Sequence, residues 1–184
     1  YTGQYCWRLV AERPPEIDRA YIYVGGGTVF AGLVPTSENS MYLWLLETRA
    51  EKRRVEAQDQ HASMAALMQP FGGLLGELRD QVTADSIINC RPLDAILLPR
   101  PWYRGRVLLI GDAAHSTTPH LASGAGIAVE DALMLSHLLS RTTTTIEQAF
   151  SQFMDRRWAR CKDVVESSVE IGAAQQSGAS PAVY

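Results

Sequence analysis

A period of two dominates the first half of the chain. Residues 5–10 have strand composition and stop at a charged turn around Pro14 and Pro15. Residues 20–24 alternate, with Tyr21 and Tyr23 on one side and Ile22 and Val24 on the other. Gly25, Gly26 and Gly27 interrupt that pattern and residues 28–34 resume it, which predicts a hairpin whose turn needs positive φ. After the polar turn at 35–40, Tyr42, Trp44 and Leu46 alternate with Met41, Leu43 and Leu45. Both faces of that strand are apolar, so the sheet is expected to be covered on both sides. Met64, Leu67 and Met68 have helical spacing, Pro70 and Gly72-Gly73 break the helix, and residues 74–82 predict a second short one. Strand-like runs return at 87–90 and 95–98.

The period changes in the second half. Residues 107–110 are a short continuous apolar run, as in a buried parallel strand. From Gly124 the spacing is helical, with Ile127, Leu133, Met134, Leu138 and Leu139 as the expected apolar face. A second helix is predicted over 146–171, with the stripe Phe150, Phe153, Met154, Trp158, Cys161, Val164, Val165 and Val169. The small, polar residues 173–184 are expected to be disordered. The first half therefore reads as β and the second as α, with one mixed stretch between them.

Composition narrows the partners. With 46% hydrophobic and 20% charged residues the chain is an ordinary globular one. A net charge of −3 argues against nucleic acid as the partner. No apolar run reaches the roughly 18 to 20 residues of a membrane span. Cys6, Cys90 and Cys161 lie far apart without a paired motif, so no disulfide framework is expected and a reducing cytoplasm fits best. The chain starts without Met or a signal-peptide pattern, which suggests a piece of a longer protein.

Residues 105–132 carry the candidate chemistry. A predicted strand ends at Gly111-Asp112, a loop of small residues follows, and Ser123-Gly124-Ala125-Gly126 opens the long helix. A carboxylate at the carboxyl end of a strand is where α/β proteins contact ligands, and an acceptor-only group suits a sugar-type hydroxyl. A glycine-rich helix start offers free N–H groups and about half a positive charge to an anion or polarised carbonyl. Read alone, Asp112 could equally cap its loop and the glycines could serve packing.

Taken in order, Gly-Asp-Ala-Ala-His (111–115), Pro119, Gly124-Ala125-Gly126 and Glu130-Asp131-Ala132 resemble the second flavin motif of FAD-dependent aromatic hydroxylases, the group A flavoprotein monooxygenases. Residues 1–8 resemble the start of that family's substrate domain, and Arg156 to Arg160 its late helix. The resemblance implies FAD as cofactor, NAD(P)H and O2 as co-substrates, and hydroxylation of a small aromatic or other hydrophobic substrate. It implies that Gly111 and Asp112 hold the ribityl chain, that the N–H groups of Gly124, Ala125 and Gly126 meet the pyrimidine edge, and that Pro119 lies beside the isoalloxazine. It implies the α/β fold class, with a mostly antiparallel sheet and two helices over about 1–98 and a second domain over about 99–184. The first is then a substrate-binding domain, where Tyr21, Tyr23, Tyr42 and Trp44 are candidate substrate contacts, and the second the carboxyl-terminal part of a Rossmann-like FAD domain. No catalytic side chain is assigned. The chain lacks the family's Gly-x-Gly-x-x-Gly fingerprint, so it reads as a portion without the ADP-binding half, inactive and weak in FAD binding alone, with self-association expected. The motif also departs from the commoner Gly-Gln-Gly-x-Asn, so its contacts there are expected through backbone.

Other readings are a flavin-dependent halogenase or reductase of the same fold and a non-catalytic small-molecule or partner-binding module. Asp112, His115 and His120 are metal-ligand types at no known spacing, and no metal is expected. No Gly-x-Ser-x-Gly elbow supports a hydrolase. Arg91, Arg100, Arg104 and Arg106 read as a solvated basic surface.

Overall fold

In the computed structural model, which describes residues 1–141 and 143–178, the alternating half forms five strands. They are β1 (Gln4–Glu12), β2 (Tyr21–Gly26), β3 (Val29–Pro35), β4 (Ser40–Thr48) and β5 (Ile88–Pro92). All pairings are antiparallel, in the order β2-β3-β4-β1-β5. The hairpin between β2 and β3 turns at Gly27, whose φ of +69° only glycine adopts without cost.

Alternation sorts the two faces. Tyr5, Trp7 and Leu9 of β1, Leu43 and Leu45 of β4, and Ala31 and Leu33 of β3 share one buried face. Helices α1 (Gln60–Leu67) and α2 (Gly73–Gln81) cover it with Met64, Met68, Phe71, Leu75 and Leu78. Each large apolar side chain buried there contributes roughly 1.5 to 3 kcal/mol. Trp7 is fully buried and its indole N–H donates to Glu47 Oε2 at 2.9 Å. The helical spacing before Pro70 starts later than its charged lead, because residues 50–56 form no helix.

The second face is covered only at one end, contrary to the expectation of full cover. Cys6, Phe30 and Leu46 are buried there with Leu93, whereas Val10 and Ile22 are each 69% exposed.

Two compact units divide the chain, one mainly Gly3–Leu93 and the other mainly Asp94–Ala174. In the second unit, the run 107–110 is no parallel strand. Only β7 (Val107–Leu108) is extended, and it pairs antiparallel with β6 (Tyr103–Arg104) across Gly105, whose φ is +58°. A short apolar run has the same pattern in either setting, and Gly105-Arg106 supplies the two-residue turn that decides it. Residues 95–98 form no strand. The N–H groups of Ile96 and Leu98 instead donate to Ser116 O and Ala114 O, each at 2.9 Å.

Three helices complete the unit: α3 (Asp112–His115), α4 (Gly124–Leu139) and α5 (Ile146–Gln176). Trp102, Ala114, Leu138, Ala149, Phe153, Met154 and Cys161 form their shared core. The α5 stripe is largely as expected, with Trp158 and Val169 half-buried and the others buried. On α4 the expected face is rotated. Ile127, Asp131 and Leu138 are buried, while Leu133 is 68% exposed. α5 continues to Gln176, past the expected start of a disordered tail at 173, and residues 179–184 of that tail lie outside the described residues.

Candidate flavin site

Gly111 is the pivot of the Gly-Asp segment. Its φ of +59° with ψ of −144° is a conformation essentially reserved for glycine, and a Cβ would stand 3.3 Å from Ala128 Cβ. That conformation turns the chain into α3, so Asp112 is the first helical residue and is exposed. Its carboxylate makes no hydrogen bond or ion pair with any described residue. Pro119 opens a 3-10 turn, Pro119–Leu121, and is exposed. Ser168 of α5 fixes this turn by donating to Thr118 O at 2.8 Å and accepting from Leu121 N–H at 3.4 Å.

The start of α4 has no side-chain cap. The Ser123 hydroxyl instead donates to Leu121 O at 2.8 Å. Ile127 N–H is the first to find a helical acceptor, Ser123 O at 3.0 Å, which leaves the N–H groups of Gly124, Ala125 and Gly126 available. Ala125 and Gly126 are exposed, and a Cβ at Gly126 would meet nothing within 4 Å. Gly124 packs against Thr117, where a Cβ would lie 3.2 Å from Thr117 Cγ2. An acceptor-only carboxylate beside a strained glycine and an uncapped helix start with glycines fit a ligand carrying both hydroxyls and a polarised, electron-rich edge. The donor set suits the ribityl chain and pyrimidine ring of FAD.

What holds these two elements is a buried ionic cluster. Asp131 of α4 is fully buried and accepts from Gly111 N–H at 3.0 Å, from His115 Nε2 at 2.6 Å and from Arg157 Nε at 2.7 Å. Arg157 of α5 also donates to Glu130 Oε2 at 2.6 Å and to Ile127 O at 3.1 Å. One carboxylate thus pins the pivot glycine to α4, and one guanidinium pins α4 to α5. A signal for this pair exists in the sequence. Asp131 falls four residues after Ile127 and seven before Leu138, and Arg157 stands three and four from Met154 and Cys161. Both are charges on apolar stripes, and buried charges persist only when paired.

The cluster sets its own protonation. Burial alone would lower the pKa of His115, but the hydrogen bond to Asp131 and the neighbouring Cys161 thiol more than offset it, raising it from 6.5 to about 9. Burial likewise opposes ionisation of Asp131, yet hydrogen bonds from His115, Gly111 N–H and Arg157 hold its carboxyl below the ordinary range. His115, Asp131 and Cys161 offer ligand atoms within 4.8 Å of one another. The Arg157 guanidinium, 2.7 Å from Asp131 and 3.6 Å from Cys161 Sγ, already supplies the cationic charge there. Asp112 and His120 are not in that group: Asp112 is exposed, and His120 Nδ1 lies 2.9 Å from Thr118 Oγ1.

The aromatic candidates divide. Tyr21 and Tyr23 pack against the core beneath the helices, whereas Tyr42 and Trp44 lie on the opposite, partly open face. The sheet register therefore separates the four into two pairs.

The family model described as FAD binding domain matches residues 7–171. The chain belongs to that family. Among its curated relatives are 2-heptyl-3-hydroxy-4(1H)-quinolone synthase of Pseudomonas aeruginosa, 31% identical over 180 residues, and aurachin C monooxygenase/isomerase of Stigmatella aurantiaca, 29% identical over 174. Each alignment covers 94% of this chain but only 45% and 44% of the relative. The chain spans about half the length of the curated relatives it matches. The solved structure of Klebsiella pneumoniae HpxO complexed with FAD and uric acid superposes with a TM-score of 0.86 at 23% identity, covering 96% of this chain and 45% of that one.

Proposed function

We propose that this chain is the flavin-contacting and substrate-binding portion of an FAD-dependent monooxygenase that uses NAD(P)H and O2 on a small aromatic or other hydrophobic substrate. The observation that carries the reading is the free Asp112 carboxylate beside Gly111, together with the uncapped start of α4. Asp112 would accept hydrogen bonds from the ribityl hydroxyls. The N–H groups of Gly124, Ala125 and Gly126 would donate to the pyrimidine edge, where reduced flavin carries negative charge, and Pro119 would line the ring. Bound FAD supplies the redox chemistry. The chain's own contribution is orientation, with Asp131 and Arg157 holding Gly111 and α4 as positioning residues. The sheet unit, with Tyr42 and Trp44 on its open face, is the substrate-binding domain in this reading.

The relatives named as monooxygenases support the reading at the level of the whole enzyme. Three free cysteines agree with a cytoplasmic location, and no helix among the described residues is long and apolar enough to cross a membrane. Self-association belongs to the same proposal, because Val129 and Leu133 leave an apolar stripe open on α4.

A flavin fluorescence titration of the chain tests the cofactor site. Asp112→Ala removes a hydrogen bond to a charged group worth on the order of 1.5 to 3 kcal/mol, so FAD affinity should fall roughly 10- to 150-fold. Equal affinity for wild type and variant would overturn the assignment.

A further inference from the structure

The open face of the sheet carries an arginine, Arg8, that pairs with no carboxylate among the described residues. The register aligns Ile22, Gly32, Trp44, Arg8 and Asn89 in one row across five strands. The next row is Val34, Tyr42 and Val10. Arg8 Nε donates to Tyr42 Oη at 3.1 Å, and its other polar neighbour is the Cys6 thiol. No carboxylate among the described residues pairs with it, although other arginines, such as Arg49, Arg100 and Arg157, have acidic partners. Trp44 lies across Gly32 so closely that any Cβ at 32 would overlap its indole ring. A bare glycine thus lets the indole lie down over β3, against the open face of the sheet.

We propose that this row is the substrate subsite and that Arg8 selects its occupant: a planar ring bearing an anionic oxygen. The inference rests on the reading of the sheet unit as the substrate-binding domain. Charge complementarity carries it. A half-buried guanidinium with only neutral partners gains most from an oxyanion, since charge-assisted hydrogen bonds are about twice as strong as neutral ones. The flanking surface asks for an apolar, flat body. Trp44 offers a ring face or edge, Ile22 is exposed at the β2 end of the row and Val10 is exposed in the next row. The Tyr42 hydroxyl, which accepts from Arg8, keeps its own proton to donate, so it orients the guanidinium and can add a second donor. A neutral hydrocarbon ring would leave the arginine unanswered, and a phosphorylated sugar would leave the apolar flanks uncovered.

Calorimetric titration of the chain with 2-naphthoate and with its neutral isostere 2-naphthamide tests this. The expected result is at least a tenfold preference for the acid. In Arg8→Gln the preference should fall below about twofold, with the amide affinity retained, which an unfolded variant could not show. Arg8→Lys should restore part of the preference, because the charge returns without the planar fork. Equal binding of acid and amide, an acid preference that survives Arg8→Gln, or no saturable binding of either probe would each overturn the inference. An FAD titration of the same wild-type sample and of the Asp112→Ala chain separates the two claims. FAD binding without acid preference refutes the subsite alone, whereas acid preference together with FAD binding that Asp112→Ala leaves unchanged refutes the flavin reading alone.

Discussion

Asp131 serves a loop glycine, a histidine and an arginine at once. Asp131→Ala leaves the Arg157 guanidinium buried without its main partner, and breaking such a pair costs about 3 to 5 kcal/mol. Urea denaturation should show that loss, and a loss under 1 kcal/mol would contradict the burial of the pair. The pH dependence follows from the same contacts. His115 is raised to about 9 from an ordinary 6.5, so its contribution is complete below pH 6.5 and disappears as pH rises through 9. Asp131 is lowered, so its contribution is present above its ordinary 3.8 and is lost as pH falls through the folded value. Stability should therefore decline between pH 6.5 and 9, and His115→Ala should flatten that decline. Identical slopes in wild type and variant would refute the pairing. Glycines along this segment should respond differently to one added methyl. Gly111→Ala forces a Cβ into a glycine-only conformation and should cost about 1 to 3 kcal/mol. Gly126→Ala meets open space and should leave stability unchanged or raise it by up to about 1 kcal/mol. Gly124 adopts no positive φ, and an added Cβ there meets Thr117 Cγ2 at 3.2 Å.

Among the elements, the strands were the most legible. Period two survives because β1, β3 and β4 bury one whole face under the helices, so the core-facing residues had to alternate. The order of strands was not legible, since β5 starts 76 positions after β1 ends (Glu12 to Ile88) and no local signal encodes that closure. Helix α4 shows the limit of counting apolar residues. Leu133 and Leu139 read as core, yet the buried stripe runs through Ile127, Asp131 and Leu138, because a fully paired carboxylate buries where a leucine would leave Gly111 N–H and Arg157 unanswered. The leucine and valine displaced to the far side form the open stripe at Val129 and Leu133, which are 59% and 68% exposed. Replacing both by Glu should abolish self-association at micromolar concentration. Light scattering that finds the wild type already monomeric would contradict this origin of association.

For the whole molecule, the candidate flavin segment was legible where the backbone restricts residue identity: Gly111 needs its positive φ, and α4 starts at the glycine-rich run, as expected. The supporting cluster was less legible because its members, residues 111, 115, 131 and 157, meet only after three helices have packed. The sheet divided the aromatic set for a similar reason: alternation on separate strands fixes a face only once the register is known. The central claim is that the start of α4 and the Gly111-Asp112 turn together receive the flavin. The most direct measurement is an amide NMR titration of the isotopically labelled chain with FAD. The account predicts the largest shifts at Asp112, Gly124, Ala125 and Gly126, with the Asp112→Ala chain requiring at least tenfold more FAD for the same displacement. Shifts confined to other surfaces, with these four amides unmoved at saturation, would contradict it.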